Sequence, residues 1–174
     1  DAVTARLSMA KIYSDVQNQE NGHYNLSFAM KQLQLLETLN NKDIDRNYDR
    51  IQMAISHIYA DKNYEGCDYG KALSALDKIQ SDEKGFIDLQ RGNIYAVENS
   101  PYYDMKKAVA CYTSAAQNNN TNAMVKLAKC YLYGLGVDRD KEAAKLWLQE
   151  ADRQGDEYAR EYLKNIDRTS YNPI

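Results

Sequence analysis

Apolar residues recur along this chain in two alternating stripes, each with helical spacing. The first stripe emerges when four segments are aligned on a tyrosine. They are ARLSMAKIY ending at Tyr13, IQMAISHIY at Tyr59, IDLQRGNIY at Tyr95 and AMVKLAKCY at Tyr131. Eight residues before the tyrosine stand Ala5, Ile51, Ile87 and Ala123; six before, Leu7, Met53, Leu89 and Val125; one before, Ile12, Ile58, Ile94 and Cys130. These offsets gather apolar side chains on one face of a helix, where a strand would alternate them. Three before the tyrosine stand Ala10, Ser56, Gly92 and Ala128. A column this small lets a neighbouring helix axis approach closely.

The second stripe follows each first one. Ala72, Ala108 and Ala144 lie 13 residues after their tyrosines, and Ala29 lies 16 after Tyr13. Leu33, Leu76, Tyr112 and Leu148 come four residues beyond these alanines, and Leu36, Ile79, Ala115 and Ala151 seven beyond. Each unit therefore predicts helix, loop, helix. The tyrosines are spaced by 46, 36 and 36 residues, the range of stacked helical repeats. The units run over about 2–40, 47–83, 84–119 and 120–155. A ninth helix, 156–167, repeats Ala123 and Leu127 as Ala159 and Leu163 but places Asp167 at the tyrosine position. That polar ending reads as a cap, with 168–174 as a tail. The expected fold is all-α: an α-solenoid of four antiparallel helix pairs plus a C-terminal capping helix, one repeat domain over 1–167, without strands.

The connections fit this reading. Gly134 and Gly136 suit the left-handed backbone that ends a helix. Asn99-Ser100-Pro101 signals a turn followed by a residue suited to a helix start. Asp140 reads as a helix N-cap, with Lys141 and Glu142 solvated in the first turn, and Asn118-Asn119-Asn120 as a helix-ending loop. The first loop, Gln17 to Asn25, is about three residues longer than the others, an extension that solenoids tolerate.

Composition narrows the function. The chain has 174 residues, 22 basic against 25 acidic, with a net charge of −3. An acidic chain is a poor general nucleic-acid binder, since phosphate affinity comes from Lys and Arg. No apolar run approaches the roughly 20 residues of a membrane-spanning helix. Fifteen tyrosines stand against 2 Phe and 1 Trp. Many occupy the repeat position, so Tyr59, Tyr95 and Tyr131 are expected to be largely buried between helices. Cys67, Cys111 and Cys130 show no C-x-x-C spacing, and His23 and His57 stand far apart. Free thiols are expected, with a Cys111–Cys130 bridge as the alternative.

The best-preserved unit, Ala123 to Ala159, resembles the Sel1-like repeat, a cousin of the tetratricopeptide repeat. The matching residues are Leu127-Ala128, Tyr131, Gly134-x-Gly136-Val137, Asp140, Ala144, Trp147, Ala151, Gly155 and Ala159. The third unit keeps Gly92, Tyr95, Ala108, Tyr112 and Ala115-Ala116 but lacks the glycine turn; the first two keep only the apolar skeleton. The resemblance covers Ile87–Leu163 closely and the whole chain more loosely. It implies an α-solenoid of antiparallel helix pairs and a non-enzymatic adaptor, often bacterial, in signalling, secretion or envelope assembly.

No motif for nucleotide, metal or nucleophilic chemistry is present, so no cofactor, metal or catalytic residue is expected. Asp138 and Asp140 have no further metal ligand nearby. The sequence reads as a protein-interaction scaffold holding another protein or peptide, without nucleic acid and without direct membrane insertion. The alternatives are a pentatricopeptide-like nucleic-acid-binding repeat protein and an enzyme or enzyme accessory domain.

In such stacks the first helices line the concave face. Its columns stand nine before the tyrosine (Thr4, Arg50, Phe86, Asn122), two before (Lys11, His57, Asn93, Lys129) and two after (Asp15, Asp61, Val97, Tyr133). The C-terminal half adds Phe86, Val97, Leu132 and Tyr133, an apolar share suited to a groove. The candidate contacts are Lys129 and Tyr133, with Asn93, Asn122 and His57 alongside. A plain solvated face is the alternative, and Phe86 reads equally as core. The chain enters its first helix from Asp1 without a capping helix. This reads as a piece of a longer array, with further repeats on the N-terminal side, or as a chain whose leader was removed; the compartment stays open.

Overall fold

The computed structural model describes residues 2–15, 25–38, 42–81 and 85–166. The body of the long first loop, His23, Asp167 and the tail 168–174 lie outside these. Among the described residues there are nine helices and no strand. They are α1 (Ala2–Ser14), α2 (Leu26–Glu37), α3 (Lys42–Ala60), α4 (Tyr69–Asp77), α5 (Phe86–Tyr95), α6 (Met105–Gln117), α7 (Thr121–Tyr133), α8 (Lys141–Arg153) and α9 (Glu157–Asn165). The chain divides into two compact units, Asp1–Ser81 and Asp82–Ile174.

In the first unit α1 packs on α2 and α3, α2 on α3, and α3 on α4. Val3, Ala10, Ala29, Met30, Leu33, Leu36, Ile51, Ile55 and Ile58 form its core. Two expectations need correction. Ala5 is exposed. The buried face of α1 follows Val3, half-buried Leu7 and Ala10, at steps of four and three, and Ala5 stands about 200° round the helix from Val3. Ile79 is only half-buried, because α4 ends at Asp77. The chain beyond it is held by α3: the Asp49 carboxylate accepts the backbone N–H groups of Gln80 (3.1 Å) and Ser81 (3.2 Å) and the Ser81 hydroxyl (2.6 Å). Part of the wider spacing between the first two tyrosines goes into α3, which has 19 residues against 13 in α7.

In the second unit each helix from α5 to α9 packs on the next. The core runs through Leu89, Ala108, Tyr112, Ala115, Ala123, Leu127, Ala128, Cys130, Ala144, Leu148, Ala151, Ala159 and Ile166. Here both stripes lie buried where the periodicity puts them. The small column has a direct cause at Gly92: a Cβ there would stand 2.5 Å from the Tyr112 ring. The equivalent positions one repeat later hold Ala128 and Leu148, both fully buried. The larger aromatic is matched by the smaller partner.

The loop inside each unit is closed by the same bond. The backbone N–H of the residue preceding the second helix donates to the carbonyl of the repeat tyrosine: Asn25 to Tyr13 (2.8 Å), Asp68 to Tyr59 (2.9 Å), Asp104 to Tyr95 (2.8 Å) and Asp140 to Tyr131 (2.9 Å). The side chain of that residue then caps the helix, accepting from the N–H of Phe28, Lys71, Lys107 and Ala143 respectively. One residue thus satisfies an orphan donor at the helix start and fastens the helix to the end of its predecessor. Pro101 sits in the turn, and α6 starts later, behind Asp104. Asn120 is more than loop: buried, it caps α7 through the Ala123 N–H. Gly134 ends α7 in the left-handed conformation (φ 69°). At Gly136 (φ 71°) a Cβ would stand 2.3 Å from the Met105 carbonyl oxygen.

The repeat tyrosines Tyr59, Tyr95 and Tyr131 are half-buried and packed against the cores. Each stands within the last three residues of its helix, where the core meets the loop. Lys71 lies 5.4 Å from the Tyr59 ring and Lys107 5.6 Å from the Tyr95 ring, so the outer faces meet cations. Cys67, Cys111 and Cys130 are free thiols. Burial pushes the Cys111 and Cys130 thiols above their ordinary range.

Candidate protein-binding groove

Three of the five expected contact residues come together. Asn93 of α5 and Asn122 and Lys129 of α7 line an open groove of about 340 Å³, with Leu89, Val125, Lys126, Asp156 and Tyr158. Its walls are α5, α7 and the start of α9, so first helices of successive repeats supply them. Tyr133 stands one turn beyond Lys129, 44% exposed, with its hydroxyl 2.8 Å from that of Tyr162. His57 is exposed on α3, in the first unit, and is no part of this group. Phe86 is exposed, which settles it as surface. Leu132 does not belong to the outward stripe: it is buried, 8% exposed. It lies four residues past Ala128, on the core side of α7.

Two groove residues were missed. Lys126 stands four after Asn122 and three before Lys129, so helical spacing alone placed it on the same stripe. Tyr158 belongs to α9, which the repeat pattern assigned only to capping. Its ring takes the Lys129 ammonium at 5.0 Å and stacks on Tyr162 at 5.8 Å. The Lys126 ammonium lies 5.9 Å from the Tyr112 ring.

Two lysines and one carboxylate line the groove. Neither Lys126 nor Lys129 is ion-paired with a carboxylate among the described residues. Desolvation pulls Lys126 below the usual lysine range, and the nearby Lys129 charge adds to it. Asp156 uses its carboxylate to cap α9 through the Ala159 N–H at 2.8 Å. The Asn93 Oδ1 accepts from the Tyr112 hydroxyl at 3.3 Å, leaving its amide N–H groups for a ligand. Burial raises the Tyr112 phenol, and burial with the Tyr133 hydrogen bond raises that of Tyr162. Both stay protonated donors near neutral pH. Among the described residues no group of three His, Cys, Asp or Glu stands ready for a metal, and no helix is long and apolar enough to cross a membrane. What the groove offers is hydrogen bonding, positive charge and aromatic surface.

The Sel1 repeat model matches residues 97–120 and 121–156. Residues 97–156 thus carry two Sel1-like repeats. The second match spans α7, the glycine turn and α8; the first begins in the loop after α5 and takes in α6. Solved structures extend the likeness of fold. A Sel1 repeat protein from Oxalobacter formigenes aligns with 78% of this chain and 98% of its own, at TM-score 0.58 and 23% identity. A protective antigen of uropathogenic Escherichia coli with the SLR fold, c5321, aligns with 90% of this chain and 32% of its own, at TM-score 0.63 and 20% identity. In sequence, 96 residues are 30% identical to the DAP3-binding cell death enhancer 1 of Rattus norvegicus; they are 55% of this chain and 18% of that protein. Sel1-like repeats build helical α-solenoids that serve generally as non-catalytic protein-interaction scaffolds.

Proposed function

We propose that this chain is a non-catalytic helical-repeat scaffold, and that its second unit holds a segment of another protein in the groove of Asn93, Asn122 and Lys129, with Tyr133 at the rim. The observation that carries the reading is the convergence of polar side chains from α5, α7 and α9 on one open groove. A wide, open groove suits an extended chain better than it encloses a small substrate. The rat relative is named for binding another protein, in keeping with this role. The chain spans 18% of that relative and 32% of the E. coli antigen. We propose that the scaffold acts as an adaptor, as part of a larger protein or assembly, in signalling, secretion or envelope biogenesis.

The test uses the natural partner, isolated by affinity capture, and calorimetry on a groove variant. Tyr133 also bonds Tyr162, so its truncation would loosen α9. Asn122→Ala combined with Lys129→Gln keeps the Tyr133–Tyr162 bond and gives up only the Lys129 contact with the Tyr158 ring. This double variant is expected to weaken the partner by about 2 kcal/mol, in the range of interface residues that matter, with the melting temperature unchanged. Unchanged affinity would move the interface off this groove.

A further inference from the structure

The groove's chemistry specifies its occupant. We propose that it takes an acidic peptide segment, whose carboxylates pair with Lys126 and Lys129 while its backbone is read by Asn93 and Asn122. This rests on the reading of the groove as a protein-binding site and adds the class of ligand.

Four observations carry it. Lys126 and Lys129 stand on one face of α7 and both line the groove. Neither has a carboxylate partner among the described residues, although other cations there pair with a carboxylate three residues away, as in Arg91–Asp88, Lys107–Asp104 and Arg153–Glu150. Each ammonium instead lies over an aromatic ring, Tyr112 or Tyr158, which holds it in place without neutralising it. The one carboxylate lining the groove, that of Asp156, is engaged in capping α9. Two cations on one helix face, Lys126 exposed and Lys129 half-buried, gain from an anionic partner that bridges them.

The spacing defines the partner further. Residues three apart on a helix have Cβ atoms about 5–6 Å apart. Alternate side chains of an extended peptide share one face and stand about 7 Å apart. Two acidic residues separated by one therefore reach both lysines. A primary amide offers donors and an acceptor, matching the peptide group; Asn93 lines the groove from α5, and Asn122 from α7, the helix that carries both lysines. A nucleic-acid strand fits less well. Its affinity requires many basic contacts along the backbone, and this chain is net acidic.

The experiment selects from a random peptide display library on the immobilised chain, then measures the selected peptides by fluorescence anisotropy. The expected result is enrichment of two Asp or Glu residues at alternate positions. The acidic peptides should bind at least about tenfold more tightly than their Gln counterparts, as for close charge pairs across an interface. Lys126→Gln with Lys129→Gln should abolish that preference, and Asn93→Ala with Asn122→Ala should weaken acidic and Gln peptides alike. Circular dichroism on each variant confirms that helicity is kept. Selected peptides without acidic enrichment, but still lost in the asparagine variant, would overturn the acidic occupant and leave the groove standing. Peptides that bind the asparagine variant as well as the parent would overturn the groove itself. Displacement of the peptide by single-stranded RNA at moderate salt would overturn the peptide class.

Discussion

Gly92 and Tyr112 show how one residue pair tunes the stacking of two helices. The ring occupies the space a Cβ at position 92 would need, while the next repeat places Ala128 and Leu148, both fully buried, at the equivalent positions. Gly92→Ala should destabilise the chain by about 1–3 kcal/mol through overpacking. Adding Tyr112→Leu, which recreates the pair of the next repeat, should restore part of that loss. A double-mutant cycle by urea unfolding reads the coupling; independent, additive effects would show that the ring and the glycine do not meet. The repeat tyrosines behave differently because they are only half-buried. Tyr131→Ala should cost about 2 kcal/mol, roughly half the value for a fully buried aromatic. A loss above about 4 kcal/mol in the same assay would mean a truly internal ring.

At the scale of the element, the repeated N-cap carries the architecture. Asp68, Asp104 and Asp140 each stand nine residues after a repeat tyrosine, cap a helix and bond back to that tyrosine's carbonyl. Replacing any one by Ala should cost about 1 kcal/mol, and by Asn much less, since Asn caps nearly as well. Equal losses for both substitutions, measured by thermal unfolding, would contradict the capping role. These signals are local, which is why the helices and the Asp140 cap were legible in the sequence. The phase of α1 was not: its weak stripe let Ala5 pass for a core residue until packing on α2 and α3 chose Val3. Leu132 was misassigned because it adjoins outward Tyr133 in sequence, although four residues from Ala128 it turns inward. The groove was legible as far as the repeat extends, in Asn93, Asn122 and Lys129. Tyr158 was not, because only tertiary packing brings α9 against that stripe.

At the scale of the molecule, each of the two units has its own core, and the groove belongs wholly to the second. The family resemblance, strongest in Ala123–Ala159, lies in the same region as the groove. On the proposal above, α5, α7 and the start of α9 form the framework, and Lys126, Lys129, Asn93, Asn122 and Tyr158 the surface offered to a partner. The most direct test of this account is amide hydrogen exchange of the whole chain with and without a display-selected peptide. The account predicts added protection in α5, α7 and the start of α9, with α1 to α4 and the outer face of α8 unchanged. Protection confined to the first unit, or to the second helices of the pairs, would contradict it.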